Sequence, residues 1–254
     1  LLTSDKFKMG LCTDICNDCG IVFTNPMPSD KYLDYFYKKV YRKFYTTYAT
    51  PSKTYIKNLG RDKRAEYHAS FLYKNGYLND IERYIDVGAS EGSFLKALKD
   101  LPLGGSREFI GVEPSIPFSD FALQAGFYDR RVENIHELDT GIGSAFISMI
   151  HVLEHIHQPK DFLIKLKDNL GPNGLLFIDV PNIVEYSSIA EIHIAHLYHF
   201  DIDSLRNLLV HAGYKVLEIE AHEPPHHPKS LRALAKPLVM KENLESSIVS
   251  NSDE

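Results

Sequence analysis

The sequence predicts an α/β fold: a doubly wound, mostly parallel sheet with helices on both faces, preceded by a small segment rich in Cys and Tyr. Three observations carry that expectation. From about residue 62 short apolar runs alternate with segments of helical period, the pattern of doubly buried strands joined by helical crossovers. The 254 residues suffice for one such domain and a small appendage. The run Tyr84–Val87 ends in a glycine-pinned turn, Gly88-Ala-Ser-Glu-Gly92, that opens into a helical pattern. That is how this architecture builds a ligand loop at the carboxyl end of a strand.

Residues 1–60 are expected as an N-terminal cap or lid. They hold Cys12, Cys16 and Cys19, then Asn25-Pro-Met-Pro28, which enforces extended or turn backbone, then the aromatic stretch Tyr32–Tyr48. Residues 61–222 carry the main domain. Its strands are expected at Tyr84–Val87, Phe109–Val112, Tyr128–Val132, Ala145–Ile150, Leu175–Val180 and Tyr214–Ile219, each an apolar run of strand length. Helical periodicity falls on Lys63–Lys74, Phe94–Asp100, Phe118–Ala125, Pro159–Asn169 and Ile202–His211. Gly171-Pro-Asn-Gly174 stops one helix and turns into the next strand. Residues 223–254 read as a tail: a Pro- and His-rich loop at Glu223–Pro228, a short helix over Ser230–Met240, and a polar, disordered end at Glu245–Glu254. No seventh strand is evident after Ile219, and the chain opens on Leu1-Leu2 rather than Met, as a fragment would.

A net charge of −6 argues against a nucleic-acid binder, which would carry a basic surplus. The one locally basic stretch, Lys38–Lys43, reads as a solvated helix face. No apolar run approaches the ~20 residues of a membrane span. The N-terminus lacks the charged-then-apolar pattern of a signal peptide, so a cytoplasmic protein is expected.

The turn at residues 88–92 narrows the ligand. A dinucleotide fingerprint needs glycines where Ser90 and Ser93 stand, and a Walker loop needs a following Gly-Lys-Ser/Thr that is absent. Asp86 and Glu91 would repel an anion but not a zwitterion or cation. The second strand ends on Glu113, followed by Pro114, and a carboxylate there accepts hydrogen bonds from ribose hydroxyls. A nucleoside without a pyrophosphate is implied, and S-adenosylmethionine is such a ligand.

Five motifs in order, Asp86-Val-Gly-Ala-Ser-Glu-Gly92, Gly111-Val-Glu-Pro114, Val152-Leu-Glu-His-Ile156, Leu170-Gly-Pro-Asn-Gly174 and Val180-Pro-Asn182, resemble those of class I, Rossmann-like, SAM-dependent methyltransferases. The resemblance spans about residues 62–221. It implies that Asp86, Gly88, Ala89, Ser90 and Gly92 lie beside the methionine part of the cofactor. It further implies that Glu113 and Pro114 lie at the ribose, Asn134 beside the adenine, and His151 at the cofactor edge.

Methyl transfer to a hydroxyl or carbon needs donor and acceptor aligned and a base to hand. Glu154-His155 matches a pair common near the donor methyl in this family. His196-Leu-Tyr-His-Phe200 resembles a block in its sugar methyltransferases, where an acid–histidine pair serves as base in the C-methylating members. Here the histidine falls at His196 and Ala195 replaces the acid. His196 is therefore expected as base or anchor, with His193 and His199 as substitutes. His222, His226 and His227 read as part of a surface loop without ligand geometry.

Cys12-x3-Cys16-x2-Cys19 has radical-SAM spacing, but that motif belongs to a barrel and lacks an aromatic residue here, at Asp18. Cys16-Asn-Asp-Cys-Gly20 instead resembles the second knuckle of the zinc-binding segment that precedes sugar-modifying methyltransferases. Zinc would be structural, with Cys12 as a third ligand and a fourth not found. The expected function is transfer of a methyl group from S-adenosylmethionine to a small, sugar-like or nucleotide-linked acceptor, by O- or C-methylation. The alternatives are a NAD-dependent sugar-modifying oxidoreductase and a SAM-binding protein without catalysis.

Overall fold

A computed structural model describes residues 4–5, 10–41, 50–139 and 143–238. The chain begins with β1 (Thr13–Ile15), β2 (Val22–Thr24) and α1 (Asp30–Tyr35), which runs on as a π-helical stretch, Phe36–Tyr41. Next come α2 (Lys53–Asn58), α3 (Arg61–Lys74), β3 (Arg83–Val87), α4 (Ser93–Lys99), β4 (Glu108–Val112), α5 (Ile116–Gln124) and β5 (Arg130–Val132). The second half holds β6 (Ala145–Ile150), α6 (Pro159–Leu170), β7 (Leu175–Pro181), β8 (Tyr198–His199), α7 (Ile202–His211), β9 (Tyr214–His222) and β10 (Ser230–Pro237).

Seven strands make one sheet in the order β5-β4-β3-β6-β7-β10-β9. The pairs among β3 to β7 are parallel, while β10 runs antiparallel to both β7 and β9. The doubly wound, mostly parallel expectation therefore holds. The strand order reverses at β3 and β6, so a crevice opens at their carboxyl ends.

Strand alternation sorts the core into two layers. Tyr84, Phe109, Phe146 and Phe177 point to one face and meet Leu72 of α3 with Leu95 and Leu98 of α4. The Tyr84 and Phe109 rings stack at 5.0 Å. Ile85, Ile110, Ile147 and Ile178 point to the other face and meet Leu163 and Leu166 of α6 with Leu205 and Leu209 of α7. Each such side chain contributes about 1.5–3 kcal/mol on burial, so β3 and β7, buried at every position, anchor the site.

One expectation needs correction. Ser230–Pro237 is a strand, not part of a helix, and it is the seventh strand that the sequence did not reveal. Its Ala and Leu residues favour a helix in isolation. In place between β7 and β9, Leu231, Ala233 and Ala235 fill one core layer and Leu234 the other, and that burial decides the outcome. The N-terminal segment packs on the domain. Its β1–β2 hairpin pairs through β2 with β8, forming a second, three-stranded sheet on the histidine-rich loop. Part of the aromatic stretch, residues 42–49, and the polar end lie outside the described residues. No helix among the described residues is long and apolar enough to cross a membrane.

Gly111 in β4 lies against the buried ring of Tyr128, and a Cβ there would stand 2.6 Å from two ring carbons. Gly111→Ala should overpack this layer and destabilise the fold by about 1–3 kcal/mol, seen as a lower denaturant midpoint with an unchanged slope.

Candidate functional site

At the carboxyl end of β3 the chain turns through Gly88, Ser90 and Gly92, all at positive φ. Gly88 is needed for space as well as for its φ of 75°, because a Cβ would sit 2.5 Å from Val152. Glu113, buried at the end of β4, staples this turn to the next loop. Its Oε2 accepts the Ser90 N–H at 2.9 Å and its Oε1 accepts the Ser115 N–H at 2.7 Å. Glu113 lines the cleft. Ala89 is buried in the core, and Pro114 and Asn134 line the cleft. The Asn134 side chain caps a short turn, accepting from the His136 N–H at 3.0 Å and donating to Glu137 at 2.8 Å.

Asp86 is buried and accepts a hydrogen bond from the Ser148 hydroxyl at 2.6 Å. Burial raises its carboxyl to about 7, despite that hydrogen bond, and Glu91 and Glu113 push the same way. The expected negative loop is thus only part of the picture. Arg61 lies 3.4 Å from Glu91, and Arg61 and Arg64 of α3 line a small cavity with Asp86, Gly88 and Ser90. Two guanidinium groups make this end of the loop receptive to a carboxylate. They come from a helix more than 20 residues upstream, where a single chain of spacing gives no signal.

The second edge is built from histidines. A cleft of about 1590 Å³ is lined by Gly88, Ser90 and Glu113 on one side and by His151, Glu154, His155, His193 and His196 on the other. Glu154 and Asp179 are fully buried. His151, held at a φ of 55°, lies between them, with Nε2 2.9 Å from Asp179 and Nδ1 3.3 Å from Glu154. Burial works against a charged ring, but the two carboxylates raise the pKa of His151 above the ordinary histidine value. Burial likewise opposes ionisation of Asp179, yet His68, His151 and His222 hold it well below the usual carboxylate range. His222 donates to it through Nε2 at 2.6 Å.

This overturns the reading of the Pro- and His-rich loop as mere surface. His222 belongs to β9 and its side chain is buried on Asp179, and His227 lies against His151 with ring centroids 3.9 Å apart. His226 is exposed. Asp179 went unread; its signal is an acid near the end of an otherwise apolar strand.

The acid that Ala195 displaces returns from another part of the chain. His196 Nε2 stands 3.9 Å from Glu154 Oε1, and the Leu197 N–H donates to the Glu154 carbonyl at 2.8 Å, locking the two loops together. Burial, reinforced by His155, His193 and His199, keeps His196 neutral, its pKa well below the ordinary value. His193 lies against His196 with ring centroids 4.0 Å apart and planes tilted by 46°. His199 is not with them in the cleft lining. It is buried in β8, and its Nδ1 shares a hydrogen bond with the Tyr186 hydroxyl at 2.9 Å. Tyr37, from the π-helical stretch, reaches His155 edge-on and donates to the Ala195 carbonyl at 3.0 Å.

The cysteines lie apart, at the β1–β2 hairpin. Cys16 and Cys19 flank its turn, and hydrogen bonds from the backbone of Cys19 and Asp18 lower the Cys16 thiol. Cys12 is exposed.

The family described as a methyltransferase domain matches residues 51–219. The chain belongs to that family. Solved structures repeat the fold. A 1,6-didemethyltoxoflavin-N1-methyltransferase from Burkholderia thailandensis, bound to its substrate and S-adenosylhomocysteine, superposes with a TM-score of 0.59 at 18% identity, over 89% of this chain and 99% of that one. Magnesium protoporphyrin IX methyltransferase from Synechocystis PCC 6803, with bound SAM, gives 0.55 at 15% identity, over 84% of this chain and 100% of that one. A SAM-dependent methyltransferase from Archaeoglobus fulgidus gives 0.54 at 17%, over 68% and 94%. No curated protein matches the chain.

The raised Asp86 carboxyl gives this methyltransferase domain a testable pH signature. The folded state holds that proton more tightly than the unfolded chain. Its contribution is therefore greatest below 3.8 and declines as pH rises to about 7. In Asp86→Asn that decline should vanish. The stability difference between variant and wild type should then change by up to about 4 kcal/mol between pH 4 and 8. Denaturant unfolding at the two pH values checks this, and a pH-independent difference contradicts it.

Proposed function

We propose that this methyltransferase domain binds S-adenosylmethionine at the β3–β4 edge and passes its methyl group to a small, polar, sugar-like acceptor at the histidine edge. The observation that carries the reading is the Glu113 staple facing Glu154 and His196 across one cleft. Glu113, a carboxylate on the cleft wall, accepts from ribose hydroxyls, Asn134 borders the adenine, and Asp86 with Arg61 and Arg64 receives the ammonium and carboxylate of the amino-acid tail. A pyrophosphate is poorly served, because the Ser90 N–H that would meet it already donates to Glu113. That disfavours a NAD-dependent enzyme, and the acidic and basic groups converging on the cleft disfavour a merely binding module.

In the transfer the S–CH₃ bond breaks as the acceptor–CH₃ bond forms, leaving neutral S-adenosylhomocysteine. The acceptor's proton goes to His196, which is neutral and so able to take it, with Glu154 stabilising the charged ring. Alignment is the larger part of the catalysis. O-methylation fits the polar cleft. C-methylation is also supported, because Glu154 and His196 restore in space the acid–histidine pair that Ala195 breaks in sequence. The segment 1–60 acts as a lid, Tyr37 and Tyr41 presenting aromatic faces to a sugar, and Cys12, Cys16 and Cys19 are suited to part of a structural zinc site. A cytoplasmic setting suits a small-molecule enzyme of this kind.

Calorimetry should show binding of S-adenosylhomocysteine and none of NAD; the reverse would refute the assignment. Glu113→Ala should weaken that binding by about 1–3 kcal/mol through lost charged hydrogen bonds, and unchanged affinity would remove its ribose role. His196→Asn should lower turnover on a panel of nucleotide-linked sugars by about 10²–10⁴-fold, with affinity for S-adenosylhomocysteine intact. Normal turnover would take the role away from His196.

A further inference from the structure

We infer that Glu154, His155 and His196 form a binding site for a divalent transition-metal ion on the acceptor side of the cleft. The claim does not rest on methyl transfer; it stands on the geometry of these three side chains. Their ligand atoms lie within 4.8 Å of one another.

Glu154 supplies the first argument. It is fully buried on a single 3-10 turn, Leu153–His155, and among the described residues neither of its carboxylate oxygens accepts a hydrogen bond. A buried carboxylate in that condition is a strong ligand for a cation. The nearest ring, His151, is shared: its Nδ1 is 3.3 Å from Glu154 while its Nε2 is 2.9 Å from Asp179. Glu154 Oε1 instead faces His155 Nε2 at 3.7 Å and His196 Nε2 at 3.9 Å, too far for hydrogen bonds.

His155 supplies the second. Its Nδ1 is 2.5 Å from the Ala195 carbonyl oxygen and 3.1 Å from the Tyr37 hydroxyl. A carbonyl only accepts, so Nδ1 carries a hydrogen and Nε2 is the nitrogen left to face the Glu154 carboxylate, 3.7 Å away. A histidine that donates its far N–H to a backbone carbonyl while presenting the other nitrogen is the arrangement that orients metal ligands.

The distances fit a site that closes on an ion. Ligand atoms on a tetrahedral zinc are separated by about 3.4 Å at bond lengths of 2.0–2.1 Å. The contacts at 3.7 and 3.9 Å need modest inward movement of two rings. Two imidazoles and one carboxylate suit Zn²⁺ or Fe²⁺ and leave positions open. Those positions face the cleft, where hydroxyl oxygens of an acceptor would complete the sphere and ionise more readily. With an ion bound, His196 is a ligand and anchor rather than the base, so the proton transfer to His196 proposed above applies to the ion-free site.

The test must exclude the thiols. The full chain with Cys12, Cys16 and Cys19 changed to Ser, stripped with chelator, is titrated with ZnCl₂ by calorimetry. One equivalent should bind. Glu154→Gln and His196→Asn in that background should each weaken binding by more than ~100-fold, beyond the loss typical of outer partners. Zinc-edge X-ray absorption on the unmutated site should show two imidazole ligands and no sulfur, which keeps the test open should either variant misfold. No stoichiometric uptake, uptake unaffected by both substitutions, or a coordination shell without imidazole would each overturn the proposal.

Discussion

Asp179 and Glu154 place two carboxylates in the same dry interior, one on the last turn of β7 and one on the 3-10 turn after β6. His151 lies between them and touches both. Removing one partner from such a buried arrangement typically costs 3–5 kcal/mol, because the charge left behind has no solvent to turn to. The geometry of the β6 end follows from that demand. His151 adopts a left-handed backbone that a β-carbon disfavours, and its N–H donates to the Asp179 carbonyl at 2.8 Å, so backbone and side chain bind the same residue. Strain at this one position is offset by electrostatics, and the turn that carries Glu154 and His155 into the cleft begins there.

Much of this molecule is legible in its sequence, and the limits have physical causes. The parallel strands read well because they are buried on both faces, so their composition is decided by the core rather than by neighbours along the chain. Ser230–Pro237 reads badly for the opposite reason: its Ala-rich run says little until β7 and β9 close on either side. The position of Glu113 is readable because a strand end is a local feature of the sequence. Arg61, Arg64 and Asp179 are not, because their meaning lies in what the fold sets beside them. Ala195 is the sharpest case. In the chain it marks a missing acid, whereas in space Glu154 stands 3.9 Å from His196.

The N-terminal segment is tied to the same loops. β2 pairs with β8 at Val22–His199 and Phe23–Tyr198, and the Thr24 N–H donates to the Leu197 carbonyl at 2.9 Å. The Tyr37 hydroxyl donates to the Ala195 carbonyl. The loop bearing His193 and His196 is therefore held from two sides: by Glu154 through Leu197, and by the segment before residue 42. The N-terminal segment is thus bonded directly to the loop that carries His193 and His196.

Both edges of the cleft meet at Gly88 and Val152. The cofactor-side turn approaches so closely that Val152 occupies the space a Cβ on Gly88 would need. Val152 is one residue after His151 and two before Glu154, so the turn that positions the buried acid is packed directly on the turn that Glu113 holds. Methyl transfer requires reacting atoms brought to about 3–3.5 Å in line. A cleft whose two walls were joined by a flexible linker would have to find that distance anew in each encounter. Here the walls are joined by van der Waals contact between a glycine and a valine on adjacent parallel strand ends, β3 and β6. The glycine that marks a ligand loop in the sequence is therefore also the joint at which the two walls of the cleft pack together.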